Sequence, residues 1–524
     1  MQRRLSALVG LILGCTSALA QGPCSAQSSK LACVIPQEYG SSAFDFTNVL
    51  FDVGHHGSHF NTGPGDIESR LAPLTSDIGR QANLLPLASP SSGIVLTYDP
   101  SLKTFVASTD SLGPVLGERG ETVGRHRLFV GFSYQFFDFD KIDGVNLRNI
   151  PAVLTHTDDP FDNSAPGVPV TCSALINSTS NNLNGCAFVR DIVRTVNSID
   201  LKVNQYTSYI TFGLTNHVDL SMVIPIESVQ MDLTSQDTIV LGSSGFYTPA
   251  AGSPDATNPN QNTTNTNGPP YFFHLFKNCP NTSPRSGAAG LDPSCLNHAF
   301  PDPSYTGSGS SPRNSASGIG DVVARVKWNA WSGERIKFAA GLDTRFPSGD
   351  ALNYLGSGSY GVKPFVVVSY RARISPHVLF GYEWNSRSIL AGDLAVTGAK
   401  GYAPSDFAYS AGADARVTKW MTGSFDIIGQ RVIRAETESV TSQQFLAPCT
   451  GACTTAPSPN TVAYDSLADS SNISYSITSA SLGGKIRPLP KVSKLVLTAN
   501  VLIRLNESGL HSKAVPLAGI GYTF

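Results

Sequence analysis

Near the C-terminus Phe524, Tyr522, Ile520 and Ala518 fall on one face of an extended segment and Thr523, Gly521 and Gly519 on the other. This is the period-2 pattern of a strand with one apolar side. The same rhythm opens at RHRLFVGFSYQFFDFD (125–140), where Leu128, Val130, Phe132, Tyr134 and Phe136 oppose Arg127, Gly131, Ser133 and Gln135. Ten further segments between them alternate in this way: 199–214, 218–231, 320–331, 335–346, 362–373, 377–385, 405–417, 421–433, 473–486 and 494–505. With the terminal strand from Ala514 the count is twelve. In 199–214 the apolar phase slips from odd to even positions near Asn204 to Tyr206, where neither Gly nor Pro sits; a β-bulge is the expected cause. Pro225 marks a second irregularity, tolerable at an edge or a bulge.

The connections sort into two classes. With the first strand started from the periplasmic side, the short turns (215–217, 332–334, 374–376, 418–420 and 487–492) all fall on that side. The long loops, at about 141–197, 234–318, 347–361, 386–404 and 435–472, all fall outside. An even strand number, short inner turns and long outer loops are features of an outer-membrane barrel, whereas a soluble sandwich predicts no such segregation and keeps its outward face polar. The expected fold is therefore all-β, a transmembrane antiparallel β-barrel of about twelve strands over residues 125–524.

Residues 21–124 alternate poorly and are expected to form a plug inside the barrel or a periplasmic segment. Within them DIESRLAPLTSDIGRQANLL (66–85) reads as an amphipathic helix broken by Pro73. GIVLTYD and KTFVAST read as a hairpin across Pro100. Its arms of about seven residues fall short of the roughly 9–11 that a tilted spanning strand needs. If this hairpin nevertheless joined the wall, the count would be fourteen.

Composition narrows the class. Length alone, at 524 residues, would favour about three or four domains. Charged residues make up only 15%, the net charge is -2 and mean hydropathy is -0.03, so nothing marks a nucleic-acid binder. After the first twenty positions no apolar run is long enough for a spanning helix. A barrel spreads its lipid-facing residues over alternate positions and leaves hydropathy flat in this way. The N-terminus carries Arg3 and Arg4, an apolar core from Leu5 to Gly14 and an Ala18-Leu19-Ala20 site, the layout of an export signal over 1–20. A lipidated Cys15 is the alternative.

Apart from Cys15, eight cysteines fall into near-neighbour pairs: Cys24 with Cys33, Cys172 with Cys186, Cys279 with Cys295, and Cys449 with Cys453. Small disulfide loops in an oxidising compartment are expected; zinc lacks the second Cys or His pair that a four-ligand site needs. His55, His56 and His59 have only Asp52 beside them and are read as polar loop residues, so neither a metal site nor a cofactor is expected.

Charges on the strands lie opposite the apolar face: Arg127, Asp219, Glu227, Arg325, Lys327, Lys337, Asp343, Arg345, Arg371, Glu383, Asp414, Arg416, Asp426 and Arg504. The cost of placing them in hydrocarbon assigns them to the lumen. Eight are basic and six acidic, so the lumen is mixed and differs from the single-sign ring of an ion-selective pore. Two roles stay open for them: ion pairs that rigidify the wall, or a polar permeation path. No Gly-x-Ser-x-Gly elbow is present and His377 has no obvious serine partner, so an enzyme is not expected.

The terminal strand resembles the closing strand of bacterial outer-membrane barrels. Two hairpins carry a narrower resemblance: YITFGLTNHVDLSMVIPI (209–226) and GLDTRFPSGDALNYLGSGSYGVKPFVVVSY (341–370) look like the signature hairpins of the outer-membrane family named for the meta-pathway of phenol degradation. Phe212 stands where that family usually has Tyr, and Phe346 precedes Pro347. The resemblance covers residues 125 to 524. It implies a channel in the bacterial outer membrane for small, often aromatic, compounds, with no catalytic residues. Membrane lipid, and the barrel assembly machinery acting through the terminal strand, are the expected partners, beside an unidentified small-molecule substrate. A closed structural or surface-binding barrel is the alternative.

Overall fold

The computed structural model describes residues 29–35, 67–85, 96–99, 104–107, 111–155, 192–240, 304–310, 314–394, 398–446, 461–488 and 494–524. Twelve antiparallel strands close on themselves. They are β1 (Leu128–Phe139), β2 (Ile192–Gly213), β3 (Val218–Val240), β4 (Val322–Ser332), β5 (Ile336–Phe346) and β6 (Gly361–Tyr370), then β7 (Ile374–Asn385), β8 (Ser405–Arg416), β9 (Met421–Leu446), β10 (Thr461–Ile486), β11 (Leu495–Arg504) and β12 (Ala514–Thr523). Each pairs with its neighbours in sequence, and β12 closes the wall on β1 with Ile520 opposite Phe132. The hairpin of Leu96–Asp99 and Thr104–Ala107 pairs with itself and joins no barrel strand, which removes the fourteen-strand alternative.

Outward-facing positions carry a belt of exposed apolar side chains, among them Phe132, Phe212, Met222, Trp328, Val366, Phe380, Leu482 and Ile520. Exposed apolar patches on soluble monomers seldom exceed a few hundred Å². A belt that runs round a closed wall is the surface that lipid solvates.

The expected bulge near Asn204 is not there. Pairing of β2 runs without a register shift against β1 from Phe212 to Leu201 and against β3 from Gly213 to Ile192. What changes is which face is apolar. Ile210 and Phe212 point outward in the membrane belt, while Ile199, Leu201 and Val203 point inward and are buried. The same inversion occurs on β3, from Leu220 and Met222 outside to Val229, Met231 and Leu233 inside. The phase slip thus marks the edge of the hydrocarbon. Beyond it β2, β3, β9 and β10 continue to 22, 23, 26 and 26 residues, so part of the expected long loops is strand.

Pro225 does disturb the wall, on the β4 side. Asn314–Ile319 pairs with β3 beyond Pro225 and β4 pairs with it before, and the break lies at Gly320, whose N–H donates to the Pro225 carbonyl at 2.8 Å. A second correction concerns the turn at 374–376. Pro376 lies within β7 opposite Ala413, and the turn falls at 371–373, closed by the Ser375 hydroxyl donating to the Ala372 carbonyl at 2.8 Å.

Inside the wall lies helix α1 (Ile67–Ala82), which continues through Pro73 instead of breaking there. Leu71, Leu74, Ile78 and Ala82 form its buried stripe at helical spacing. Burying each of the three large side chains contributes about 1.5–3 kcal/mol, which outweighs the roughly 3 kcal/mol cost of an interior proline.

Candidate functional site

Residues 111–124 cross the lumen at the short-turn end and meet the charges the alternation pattern assigned there. Glu118 accepts from Arg325 Nη1 and Lys327 Nζ, both at 2.9 Å. Lys327 also donates to the Glu121 carbonyl at 2.7 Å. Arg119 Nε donates to Asp414 Oδ1 at 2.9 Å, and Asp414 also accepts from the Ser111 hydroxyl. The Val123 N–H donates to Asp219 Oδ2 at 3.0 Å, and Asn329 Nδ2 to the Gly120 carbonyl at 2.6 Å. Leu112, Val115 and Val123 are buried in the same layer. Lys485 adds a donor to the Pro114 carbonyl. The segment has no periodic pattern because its contacts are made by backbone carbonyls and single side chains and not by a face.

At the other end the lumen is covered by α1 and by the 347–361 loop, which folds inward. Tyr354 of that loop is fully buried, and its hydroxyl donates to the Thr75 carbonyl on α1 at 3.2 Å. Gly79 gives the ring room, since a Cβ there would lie 2.8 Å from Tyr354 Cε1. Asp321 pins the loop by accepting from the N–H groups of Gly349 at 3.1 Å and Ser357 at 2.8 Å. Lys30 reaches Asp350 at 2.6 Å. Burial opposes ionisation of Asp350, but the Lys30 ammonium and the hydrogen bonds of Asn353 and Leu352 outweigh it and hold the carboxyl below its ordinary value.

Between the two covers is a cavity of about 270 Å³. One arc of its lining is largely apolar, from Leu85, Leu116, Phe137, Phe139, Leu502 and Val515, with Arg504 beside Leu502. The opposite arc is charged, from Arg325, Asp343, Arg345, Lys363, Glu383 and Asp406. Within that arc Arg325 holds Asp343 in a two-point contact at 2.6 and 2.8 Å, Arg345 meets Glu383 at 3.0 Å, and Lys363 stands 3.5 Å from Asp343 and 3.6 Å from Glu383. The Arg325 guanidinium also lies 4.8 Å from the centre of the Phe365 ring. Cross-strand register makes this ladder, because Arg325 is opposite Asp343 and Asp343 opposite Lys363. Such a chamber can hold a small molecule with an apolar body on one side and a polar group on the other.

Of the remaining assigned residues Arg504 also lines the chamber, and the others lie apart from it. Asp426 Oδ1 pairs with His377 Nε2 at 2.6 Å, with Asp414 3.6 Å from Nδ1, so this histidine is flanked by carboxylates. Glu227 accepts from Gln205 at 3.0 Å. Lys337 donates to the Gly333 carbonyl at 2.8 Å, and Arg504 to the Ser508 carbonyl at 2.6 Å. Arg127, Arg371 and Arg416 are half-buried at strand ends on the short-turn rim. Lys363, Asp406 and Lys485 were missed although alternation places each on the inner face; Glu118 and Arg119 lie in a segment with no alternation to read. Cys33 is disulfide-bonded. The signal segment, the histidine cluster, Cys24, Cys172, Cys186, Cys279, Cys295, Cys449 and Cys453 lie outside the described residues.

No family model and no curated protein matches the chain. Among solved structures it is similar to an outer-membrane channel from Pseudomonas putida F1 (10% identity, 78% of this chain and 100% of that one, TM-score 0.37). It is also similar to a Pseudomonas aeruginosa FadL homologue (10% identity, 85% and 96%, TM-score 0.26). A third similarity is to the Ralstonia pickettii toluene transporter TbuX (9% identity, 76% and 90%, TM-score 0.25). These similarities are too distant to carry a function across.

Proposed function

We propose that this chain is a channel of the bacterial outer membrane for passive uptake of small molecules with an apolar or aromatic body. The observation that carries the reading is the two-faced chamber inside a wall whose outer belt is apolar. A molecule entering from the long-loop end passes the edge of α1, rests its apolar side on Phe137, Phe139 and Leu502, and turns polar atoms toward the Arg325–Asp343–Lys363 ladder. It leaves when residues 111–124 withdraw from the short-turn end. In this reading the N-terminal segment up to residue 124 is the hatch, the belt faces membrane lipid, and the terminal strand is the assembly signal. The hairpin resemblance to the phenol meta-pathway family fits the same cargo class.

Reconstitution in liposomes tests the proposal. The chain lacking residues 21–124 is expected to conduct ions and to admit aromatic solutes, and the full chain to do so less. A hatch-deleted barrel that folds yet gives neither conductance nor uptake would instead support a closed structural barrel.

A further inference from the structure

At the long-loop end, α1 meets the extensions of β9 and β10 through carboxylates that lack sufficient counter-charge. Glu438 and Asp469 stand directly opposite each other in the β9–β10 ladder, an arrangement of like charges that destabilises a sheet. Asp77 of α1 approaches the same point, and one oxygen from each of the three lies within 4.8 Å of the others. Glu436 flanks them. Arg80 is the cation among them, 2.9 Å from Glu436 and in contact with Asp77. Four carboxylates therefore face one guanidinium among the described residues. Asp143 lies further on and is already occupied, accepting from Gln81 at 3.1 Å and from the N–H groups of Glu438 at 3.2 Å and Gly509 at 2.7 Å.

A second observation separates this cluster from an ordinary acidic surface. The Glu438 side chain is only 2% exposed, and neither of its carboxylate oxygens has a hydrogen-bond partner among the described residues. A buried carboxylate aimed into a cluster of acids needs either a proton or a cation. Asp469 is exposed, which leaves the cluster open to ions and water from the long-loop side.

We infer that Asp77, Glu438 and Asp469 form a calcium site that clamps α1 to the barrel wall. The chemistry of the donors selects the ion. All three offer hard oxygen ligands, which suit calcium or magnesium over softer metals. Calcium accepts carboxylate oxygens at about 2.3–2.6 Å in flexible geometry, whereas magnesium demands near-ideal octahedral geometry at about 2.0–2.1 Å and keeps most of its waters, which suits carboxylates drawn from a helix and two strands less well. Water completes the shell at the exposed Asp469 side. The ion offsets the Glu438–Asp469 repulsion and links the helix, through Asp77, to two strands. The clamp does not depend on the cargo, since neither Glu438 nor Asp469 lines the chamber.

Isothermal titration of the chelator-dialysed full chain with CaCl₂, alongside thermal unfolding in calcium and in chelator, tests it. One saturable calcium per chain and a higher unfolding temperature in calcium are expected. Glu438→Gln keeps the side-chain volume and should weaken binding at least ten-fold. Asp469→Asn, at the exposed ligand, should do the same even if the first variant fails to fold. Absence of saturable calcium binding, or affinity unchanged in Asp469→Asn, overturns the site. So does Glu438→Gln stabilising the chain equally in calcium and in chelator, which would mean that a proton occupies Glu438. Magnesium binding as tightly as calcium overturns the choice of ion.

Discussion

Arg119 Nε donates to Asp414 Oδ1 at 2.9 Å, joining the irregular N-terminal segment to the inner face of β8 where both side chains are buried. The pair sits in the layer that closes the short-turn end. Removing one partner of a buried pair strands the other charge and costs about 3–5 kcal/mol. Asp414→Leu is therefore expected to loosen residues 111–124 while leaving the strand pairing intact. Planar-bilayer recordings should show larger or more frequent openings than the parent chain, with the far-ultraviolet spectrum of the barrel unchanged. Openings indistinguishable from the parent would mean that this segment does not set the conductance.

Tyr354 fastens the upper cover. Its hydrogen bond to Thr75 contributes about 0.5–1.5 kcal/mol, and its ring fills the space beside Gly79. Tyr354→Phe should give a small loss. Tyr354→Ala should cost about 3–5 kcal/mol by analogy with other aromatic truncations, concentrated in α1. Amide hydrogen exchange is the measurement: faster exchange across 67–82 with β4 to β8 unaffected is expected. Uniform acceleration through the strands would contradict a local fastening.

Much of the wall was legible because a lipid-facing strand has a strict rule, one face apolar and one not. That rule located twelve strands and put Arg325, Asp343, Glu383 and Asp414 inside. It misled at Asn204, since the rule reverses where β2 leaves the hydrocarbon and its inner face packs on the interior. It applies equally to Lys363 and Asp406, which share the inner faces of β6 and β8. Glu118 and Arg119 were not legible at all. Their positions depend on where an aperiodic segment crosses the lumen, which local pattern does not encode. Asp77, Glu438 and Asp469 are brought together from three distant parts of the chain, so no ligand spacing could reveal them.

The Lys30–Asp350 pair gives a pH dependence whose sign follows from its direction. Asp350 is more acidic in the folded chain than when unfolded. Its contribution is thus fully present above about pH 4, the ordinary carboxyl range, and is lost as pH falls through the lower folded value. Both side chains are more than a third exposed, at 35% and 40%, and solvent screening limits the contribution to no more than about 1 kcal/mol. Thermal unfolding between pH 5 and pH 3 should therefore show a small difference between the parent and Asp350→Asn that is largest at the upper end and shrinks toward the lower. A difference that grows on acidification would contradict the pairing.

Ala408 lines the chamber on β8 next to the charged arc, and replacing it by Trp places an indole in a space of about 270 Å³. A side chain of that size competes directly with any cargo that rests there, while the wall of β8 keeps its pairing to β7 and β9. If the chamber is on the permeation route, Ala408→Trp in the hatch-deleted barrel should lower uptake of aromatic solutes at least ten-fold and reduce conductance. The same substitution at Phe407, whose side chain faces outward in the apolar belt, should leave both unchanged. Equal uptake by the Ala408→Trp and parent barrels would place the route outside the chamber and remove the main support for the amphiphilic cargo.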